Sequence, residues 1–409
     1  MDRPAGVPSA AGNGRVDEGA APRDSEQPSE RPDDAPGDTR SVPYDQRSQR
    51  NRSSSAGARK TYGASSRARL GVPTYAALDL GTNNCRLLVA QPTRRGFHVV
   101  DAFSRIIRLG EGVSSTGLLS EAAMTRTFEA LRVCARKITR HQATRARLVA
   151  TEACRKAENA GEFIAAVRRD LDLELEILSR EAEARLAVSG CAALIDQSCD
   201  LAVVFDIGGG STEIIWLDLG GSKEPNQWRR TLADRLDAYN NIAAWTSLPA
   251  GVVTLAERFG GEHVTPEVFE AMVEDVLSLI APFEQEHRFA DVVRNGRVHM
   301  VGTSGTVTTL AGIMLGLQRY DRKRVDGSWM TIGEIRRITD GLLAQTYSER
   351  VAEPCIGRDR ADLVLAGCAI LEALIRMWPV DRLRVADRGL REGILATLMA
   401  DDGHFRGSD

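Results

Sequence analysis

The stretch that most limits what this chain can become runs from 201 to 217: Leu201-Ala-Val-Val-Phe-Asp206-Ile-Gly208-Gly209-Gly210-Ser211-Thr212-Glu213-Ile-Ile-Trp-Leu217. Two apolar runs rich in Val, Ile and Phe meet over three glycines, a pattern that predicts two strands joined by a tight turn. Glycines let backbone come close to a ligand, and successive N–H groups can converge there on an anion. Ser211 and Thr212 add donors. Asp206 and Glu213 flank the turn, so a phosphate bound there could bring a divalent cation with it. The plainer reading of the same residues is a Gly-rich hairpin that only reverses the chain.

An internal repeat favours the first reading. Ala76-Ala-Leu-Asp79-Leu-Gly81-Thr82-Asn83-Asn84-Cys-Arg86-Leu-Leu-Val-Ala90 has the same plan and aligns without a gap. Asp79 and Asp206 each stand seven positions ahead of Arg86 and Glu213. A third loop, Gly302-Thr303-Ser304-Gly305-Thr306, again follows a short apolar approach. Three glycine-hydroxyl loops predict two similar halves closing on a phosphate.

At 409 residues the chain is long enough for two cores. A net charge of −3 implies no global attraction to nucleic acid or to a membrane surface. Seven cysteines without a Cys-x-x-Cys pair argue against a disulfide framework or a zinc site. No apolar run is long enough to span a bilayer and no apolar signal core opens the chain, so the cytoplasm is the expected compartment.

Residues 1–72 are rich in Pro, Ser, Gly, Asp and Arg and lack Ile and Phe, which predicts a disordered tail. Short strands over 76–80, 86–90 and 97–103 predict an antiparallel meander. Ser120 is placed to cap a helix over 121–140, whose Met124, Phe128, Leu131, Cys134 and Ile138 recur at helical spacing. A strand over 146–150, a helix through Phe163 and Leu171, and a strand over 175–178 follow. Glu181 and Glu183 then fall in the first turn of a helix, where carboxylates commonly answer the helix dipole. Residues 218–241 read as a loop or hairpin, with order resuming at Leu248-Pro-Ala-Gly251. The basic cluster 318–327, with Arg319, Arg322, Lys323 and Arg324, is a solvated loop or an anion-binding rim. The last strand is expected at 383–385, with Asp387 to Gly393 opening a final helix.

These residues resemble the exopolyphosphatase / guanosine pentaphosphate phosphohydrolase (Ppx/GppA) family, within the actin-like ATPase superfold. The resemblance runs from Tyr75 to Leu398. It rests on Asp79-Leu-Gly-Thr-Asn-Asn, Ala150-Thr-x-Ala-x-Arg155-x-Ala-x-Asn159 and Glu183-Ala-Arg-Leu, then on Asp206-Ile-Gly-Gly-Gly-Ser-Thr-Glu213, Gly302-Thr-Ser-Gly-Thr306 and Leu390-Arg-Glu-Gly-Ile394. It implies an α/β fold of two ribonuclease-H-like (actin-like ATPase) domains with a cleft between them, after the disordered N-terminal tail. Residues 73–186 would form domain I, completed by a C-terminal helix over 394–409, and 187–393 domain II.

The resemblance also implies roles. Glu183 would be the base that deprotonates the attacking water. Asp206, Glu213 and Asp79 would hold Mg²⁺, or Mn²⁺. Gly208, Gly209, Gly210, Ser211 and Thr212 would cradle phosphate. Gly81, Thr82, Asn83 and Arg155 would contact the phosphate chain from the first domain, and Ser304, Gly305 and Thr306 would line the opposite wall. Ala182 replaces a glutamate that often precedes the base, Thr82 and Asn84 replace serines, and Arg388 interrupts a run of small residues.

The function implied is Mg²⁺-dependent release of terminal orthophosphate from polyphosphate or guanosine pentaphosphate, without nucleic-acid or membrane partners. A homodimer follows by family analogy alone. Two alternatives stay open at this point: a non-catalytic polyphosphate or nucleotide sensor, and phosphotransfer to a nucleoside diphosphate.

Overall fold

A computed structural model describes residues 71–94, 96–196, 198–220 and 240–405. The tail expected over 1–72, except its last two residues, lies outside the described residues. So do most of the segment between Asp218 and Asn241 and the chain's last four residues.

Strands β1 (Tyr75–Leu80), β2 (Asn84–Thr93), β3 (Gly96–Ile106), β4 (Arg145–Ala150) and β5 (Leu175–Ile177) form one sheet in the order β3-β2-β1-β4-β5. β1, β2 and β3 pair antiparallel as the predicted meander, while β4 and β5 run parallel to β1. A second sheet holds β6 (Leu201–Ile207), β7 (Thr212–Asp218), β8 (Ile242–Leu248), β9 (Val298–Thr303), β10 (Trp329–Thr331) and β11 (Arg382–Ala386). Its order is β10-β11-β9-β6-β7-β8. Leaving aside the edge strand β10, the wiring repeats the first sheet: a three-stranded antiparallel meander with two parallel strands added beyond its first member. These are two ribonuclease-H-like α/β halves.

The repeat holds at the level of single bonds. Asp79 lies in register with Arg86, and Asp206 with Glu213. Gly81 N–H donates to the Asn84 carbonyl and Gly208 N–H to the Ser211 carbonyl, both at 2.9 Å.

β8 departs from expectation, since order resumes at Ile242 rather than Leu248. Its small and polar residues carry a weak alternation, and pairing with β7 makes it a strand. β10, three residues long, is too short to show a period.

Helix Glu121–Arg140 begins where Ser120 accepts from Ala123 N–H, and it buries Ala123, Ala130, Leu131 and Cys134 in the core on one face of the first sheet. The opposite face is covered by helix Leu390–Asp401, whose Ile394, Leu395 and Met399 pack with Ala77, Leu88 and Val149. That helix also crosses helix Arg180–Cys191 in backbone contact. A Cβ on Gly190 would lie 2.0 Å from the Gly389 carbonyl oxygen, and one on Gly393 would lie 2.1 Å from that of Leu186. Only glycine fits either crossing. The contact locks in place the helix that carries Glu183.

In the second half the core gathers around helix Val364–Met377. Trp216 of β7 stacks on Phe289 with ring centroids 4.1 Å apart.

Candidate active site

Strand direction brings the acids together. Asp79 lies near the end of β1 and Asp206 near the end of β6, while Glu213 opens just inside β7. Glu213 is 2% exposed and accepts a hydrogen bond from Ser247 Oγ of β8 at 2.9 Å. Burial, and then the Asp206 charge, push its carboxyl up to about 7. Asp206 is raised by burial, against the opposite pull of a hydrogen bond from Ser304. Asp79 is also raised by burial, with Arg86 and Arg391 pulling it back.

Glu183 belongs to the same group. Ser179 accepts from Ala182 N–H and so starts helix Arg180–Cys191, which sets Glu183 in the first turn. Burial raises the Glu183 carboxyl well above the usual range, and the charges of Glu213 and Asp79 add to it. Its side chain keeps only 13% of its exposure, among the charges of the other acids.

Arg155 Nη2 stands 2.8 Å from Glu183 Oε2. Its remaining donors are directed to protein: Nε to Glu152 at 2.9 Å and Nη1 to the Leu178 carbonyl at 2.6 Å. Arg155, expected on the phosphate chain, is thus held on the expected base. Glu152, 2% exposed, is a carboxylate that sequence reading passed over. Burial would raise it, but hydrogen bonds from Arg180 and Arg155 outweigh burial and hold it low.

The glycine turns of the two halves abut. A Cβ on Gly209 would lie 3.0 Å from Thr82 Cβ, and one on Gly210 would lie 2.7 Å from Thr82 Oγ1. These glycines serve the approach of the halves as well as any ligand. Asn83 Oδ1 and Asn84 Oδ1 are buried without a hydrogen-bond partner. Ser211 hydrogen-bonds Glu213, and Ser304, at φ 77°, hydrogen-bonds Asp206. Two expected phosphate ligands turn their hydroxyls elsewhere. Thr212 Oγ1 donates to the Ala250 carbonyl at 2.6 Å, and Thr306 Oγ1 packs on Gly367 of helix Val364–Met377, where a Cβ would lie 2.3 Å away. The Thr212 hydroxyl is thereby occupied, and Gly305 N–H opens helix Gly305–Met314 beside Thr306.

Beside the acids lies a basic group. Burial lowers the pKa of Arg360, and the neighbouring Arg86 charge lowers it further. Burial does the same to Arg391, with Arg86 adding to it against the pull of Glu392. Glu392, Asp79 and Asp387 offset part of the cost of concentrating three cations, and a bound anion would offset more. Sequence reading assigned none of the three. Arg86 was legible as a charge inside an apolar strand, opposite an acid. Arg360 sits on an irregular segment without a pattern.

The cluster 318–327 divides. Arg322 donates to Glu392 at 2.6 Å and to the Asp387 carbonyl, and Asp326 pairs with Arg388, whereas Arg319, Lys323 and Arg324 are exposed. Arg322 is therefore spent on the loop before the last helix.

Comparison with known proteins gives the family. The model of the Ppx/GppA phosphatase family matches residues 88–401. The chain belongs to the Ppx/GppA phosphatase family. It is 29% identical over 333 residues to a guanosine-5'-triphosphate,3'-diphosphate pyrophosphatase of Photobacterium profundum, covering 81% of this chain and 60% of that protein. It is 29% identical over 340 residues to exopolyphosphatase 2 of Mycobacterium tuberculosis, covering 79% of this chain and 98% of that one. The crystal structure of the Aquifex aeolicus Ppx/GppA family member matches with a TM-score of 0.64 and 29% identity, over 82% of this chain and all of that one. An exopolyphosphatase from Cytophaga hutchinsonii shares the fold, with a TM-score of 0.68 at 22% identity, over 80% and 98% of the chains.

In this Ppx/GppA chain, then, an acidic pole of Asp79, Glu183, Asp206 and Glu213 adjoins a basic pole of Arg86, Arg360 and Arg391. Among the described residues, no helix is long and apolar enough to cross a membrane.

Proposed function

We propose that this protein is a phosphoanhydride hydrolase that releases terminal orthophosphate from polyphosphate, guanosine pentaphosphate or both. The observation that carries this reading is the adjacency of the two poles. A chain of phosphoryl groups would place its charge on the arginines and its last group among the acids.

Phosphoryl transfer asks a protein for positioning and for neutralisation of spreading negative charge. Arg86, Arg360 and Arg391 would bind the chain behind its last phosphoryl. Gly209 and Gly210 would offer N–H groups to that phosphoryl, while Gly208 N–H stays in the turn bond to the Ser211 carbonyl. Glu183 would take a proton from water at its carboxylate, with Arg155 fixing its orientation. The raised pKa of Glu183 makes it a stronger base than an exposed carboxylate once it is ionised.

The acids fit a hard divalent cation. Their carboxyls raise one another, as expected where a positive charge belongs among them. Among the described residues, no three His, Cys, Asp or Glu side chains stand close enough to hold a metal unaided. Mg²⁺ bound by one or two carboxylates, water and phosphate oxygens is compatible with that spacing. Asp206 and Glu213 would hold it, with Asp79 acting through a bound water, and when bound it would neutralise charge on the phosphoryl oxygens.

The retained acid set favours hydrolysis over a sensor without catalysis, since binding alone needs no buried base. The deciding experiment is a panel of short polyphosphate, long polyphosphate and guanosine pentaphosphate, with and without Mg²⁺. Orthophosphate should appear from at least one substrate and only with the metal. Binding without release would establish the sensor.

A further inference from the structure

Loop 107–112 of the first half is riveted to the first glycine turn. Ile107 and Arg108 N–H both donate to the Asn83 carbonyl, at 2.9 and 3.1 Å, and Gly110 N–H donates to that of Thr82 at 2.9 Å. Arg108 takes φ 46°, a left-handed conformation unusual for a residue with a side chain. From there its guanidinium crosses to the second half. Nη1 and Nη2 lie 2.8 and 2.9 Å from the two carboxylate oxygens of Asp362, and Nη2 also donates to the Asp359 carbonyl at 3.3 Å.

Asp359 and Asp362 bracket Arg360, the basic-pole residue with the least regular support. Behind this segment stands Arg350, 2% exposed, which donates to the Ala361 carbonyl at 3.3 Å and to the Glu262 carbonyl at 2.6 Å. Gly261 backs it too, since a Cβ there would lie 2.0 Å from the Asp362 carbonyl oxygen. The rear clamp belongs wholly to the second half. The front clamp, Arg108, comes from the first half, and its pairing depends on how the halves meet. Its side chain and that of Asp362 keep 31% and 19% of their exposure. A cavity of about 220 Å³ opens beside them. Water can therefore replace this pair when the halves part, as it could not replace the buried bonds of Arg350.

We propose that Arg108 and Asp362 form a closure clasp: Arg108 is a positioning residue that, acting through Asp362, sets Arg360 against the phosphate chain when the halves close. A second bond follows the same path, from Gly112 N–H to Glu257 Oε1 at 2.8 Å. Glu257 lies on helix Val252–Phe259, whose first N–H groups donate to the Gly208 and Gly209 carbonyls. Loop 107–112 thus reaches both glycine turns and the segment that bears Arg360. This inference rests on the hydrolase reading above for its kinetic consequence, but not for its structural one.

The kinetic test uses full-length protein and whichever substrate of the panel the wild type turns over. Arg108→Ala should raise KM about tenfold with kcat changed no more than about twofold, and it should add little to the KM of Arg360→Ala, because the two act on one interaction. The exchange Arg108→Asp with Asp362→Arg should recover most of the lost KM. An unchanged KM in Arg108→Ala, or effects of Arg108→Ala and Arg360→Ala that multiply independently, would overturn the clasp. The structural test needs no turnover. Amide exchange over 357–363 should accelerate about tenfold in Arg108→Ala and return towards wild type in the exchanged pair. Exchange at the wild-type rate in Arg108→Ala would overturn the clasp even if no panel substrate is hydrolysed, an outcome that by itself would count against the hydrolase reading only.

Discussion

Asp206 and Glu213 lie in register across the β6–β7 hairpin, where the matching hairpin of the first half pairs Asp79 with Arg86. The first half thus sets an arginine opposite its acid. In the second, two carboxylates face each other, an arrangement that is unfavourable without a cation.

Stability should follow from this pairing. The folded pKa of Glu213, about 7, exceeds its ordinary 4.5, so the stability it contributes is fully present below pH 4.5 and is lost as pH rises through 7. That gap corresponds to about 3 kcal/mol for a fully buried group. A divalent cation would remove the cost only where the carboxyls are ionised. The thermal midpoint should therefore rise more on adding Mg²⁺ at pH 8 than at pH 5. Equal shifts at both values would show that these acids do not hold the ion.

Arg155 stands between two buried carboxylates, 2.9 Å from Glu152 and 2.8 Å from Glu183. Arg155→Ala would leave Glu183 without its ion pair, while Glu152 would keep Arg180 and Lys156, and should destabilise the fold by about 3 kcal/mol in chemical denaturation. Since the Arg155 charge draws the Glu183 pKa down, its loss should move the acid limb of the activity profile to higher pH. A denaturation midpoint within error of wild type would mean that the ion pairs form elsewhere or not at all.

Glycines around the turns should differ sharply in what they tolerate. A Cβ on Gly251 would lie 2.4 Å from the Gly209 carbonyl carbon and 2.5 Å from Gly210 N, so Gly251→Ala must displace the second turn. At Gly81 the nearest atom is the Asn84 carbonyl oxygen at 3.4 Å, an ordinary contact. Gly251→Ala should weaken polyphosphate binding at least about tenfold, with a loss of about 1–3 kcal/mol in stability, and Gly81→Ala should do neither to that extent. Titration calorimetry on both variants checks the order, and a larger effect at Gly81 would contradict it.

Much of this was readable before any coordinates. The gapless match of 76–90 to 203–217 became two hairpins with the same register and the same turn bond, because glycine spacing and apolar runs are local signals. What stayed hidden depends on pairing across distance. β8 carries only a weak alternation and becomes a strand through β7, so Ser247, which touches Glu213, could not be found. Arg360 reaches the site from an irregular segment held by nearby Arg350 and, across 254 residues of sequence, by Arg108 through Asp362. Thr212 and Thr306 belong to motifs that name a phosphate loop, yet packing against Ala250 and Gly367 decides where their hydroxyls point. Motif spacing places backbone; the side chain answers to its neighbours.

The central claim is that Glu183, buried among acids and oriented by Arg155, activates the water that cleaves the terminal phosphoanhydride. Its most direct test is orthophosphate release by Glu183→Gln on the best panel substrate, with binding measured alongside. Turnover should fall roughly 10²–10⁴-fold while binding stays within a few-fold of wild type. Turnover at the wild-type rate would remove Glu183 from the reaction and leave the acidic pole without its base.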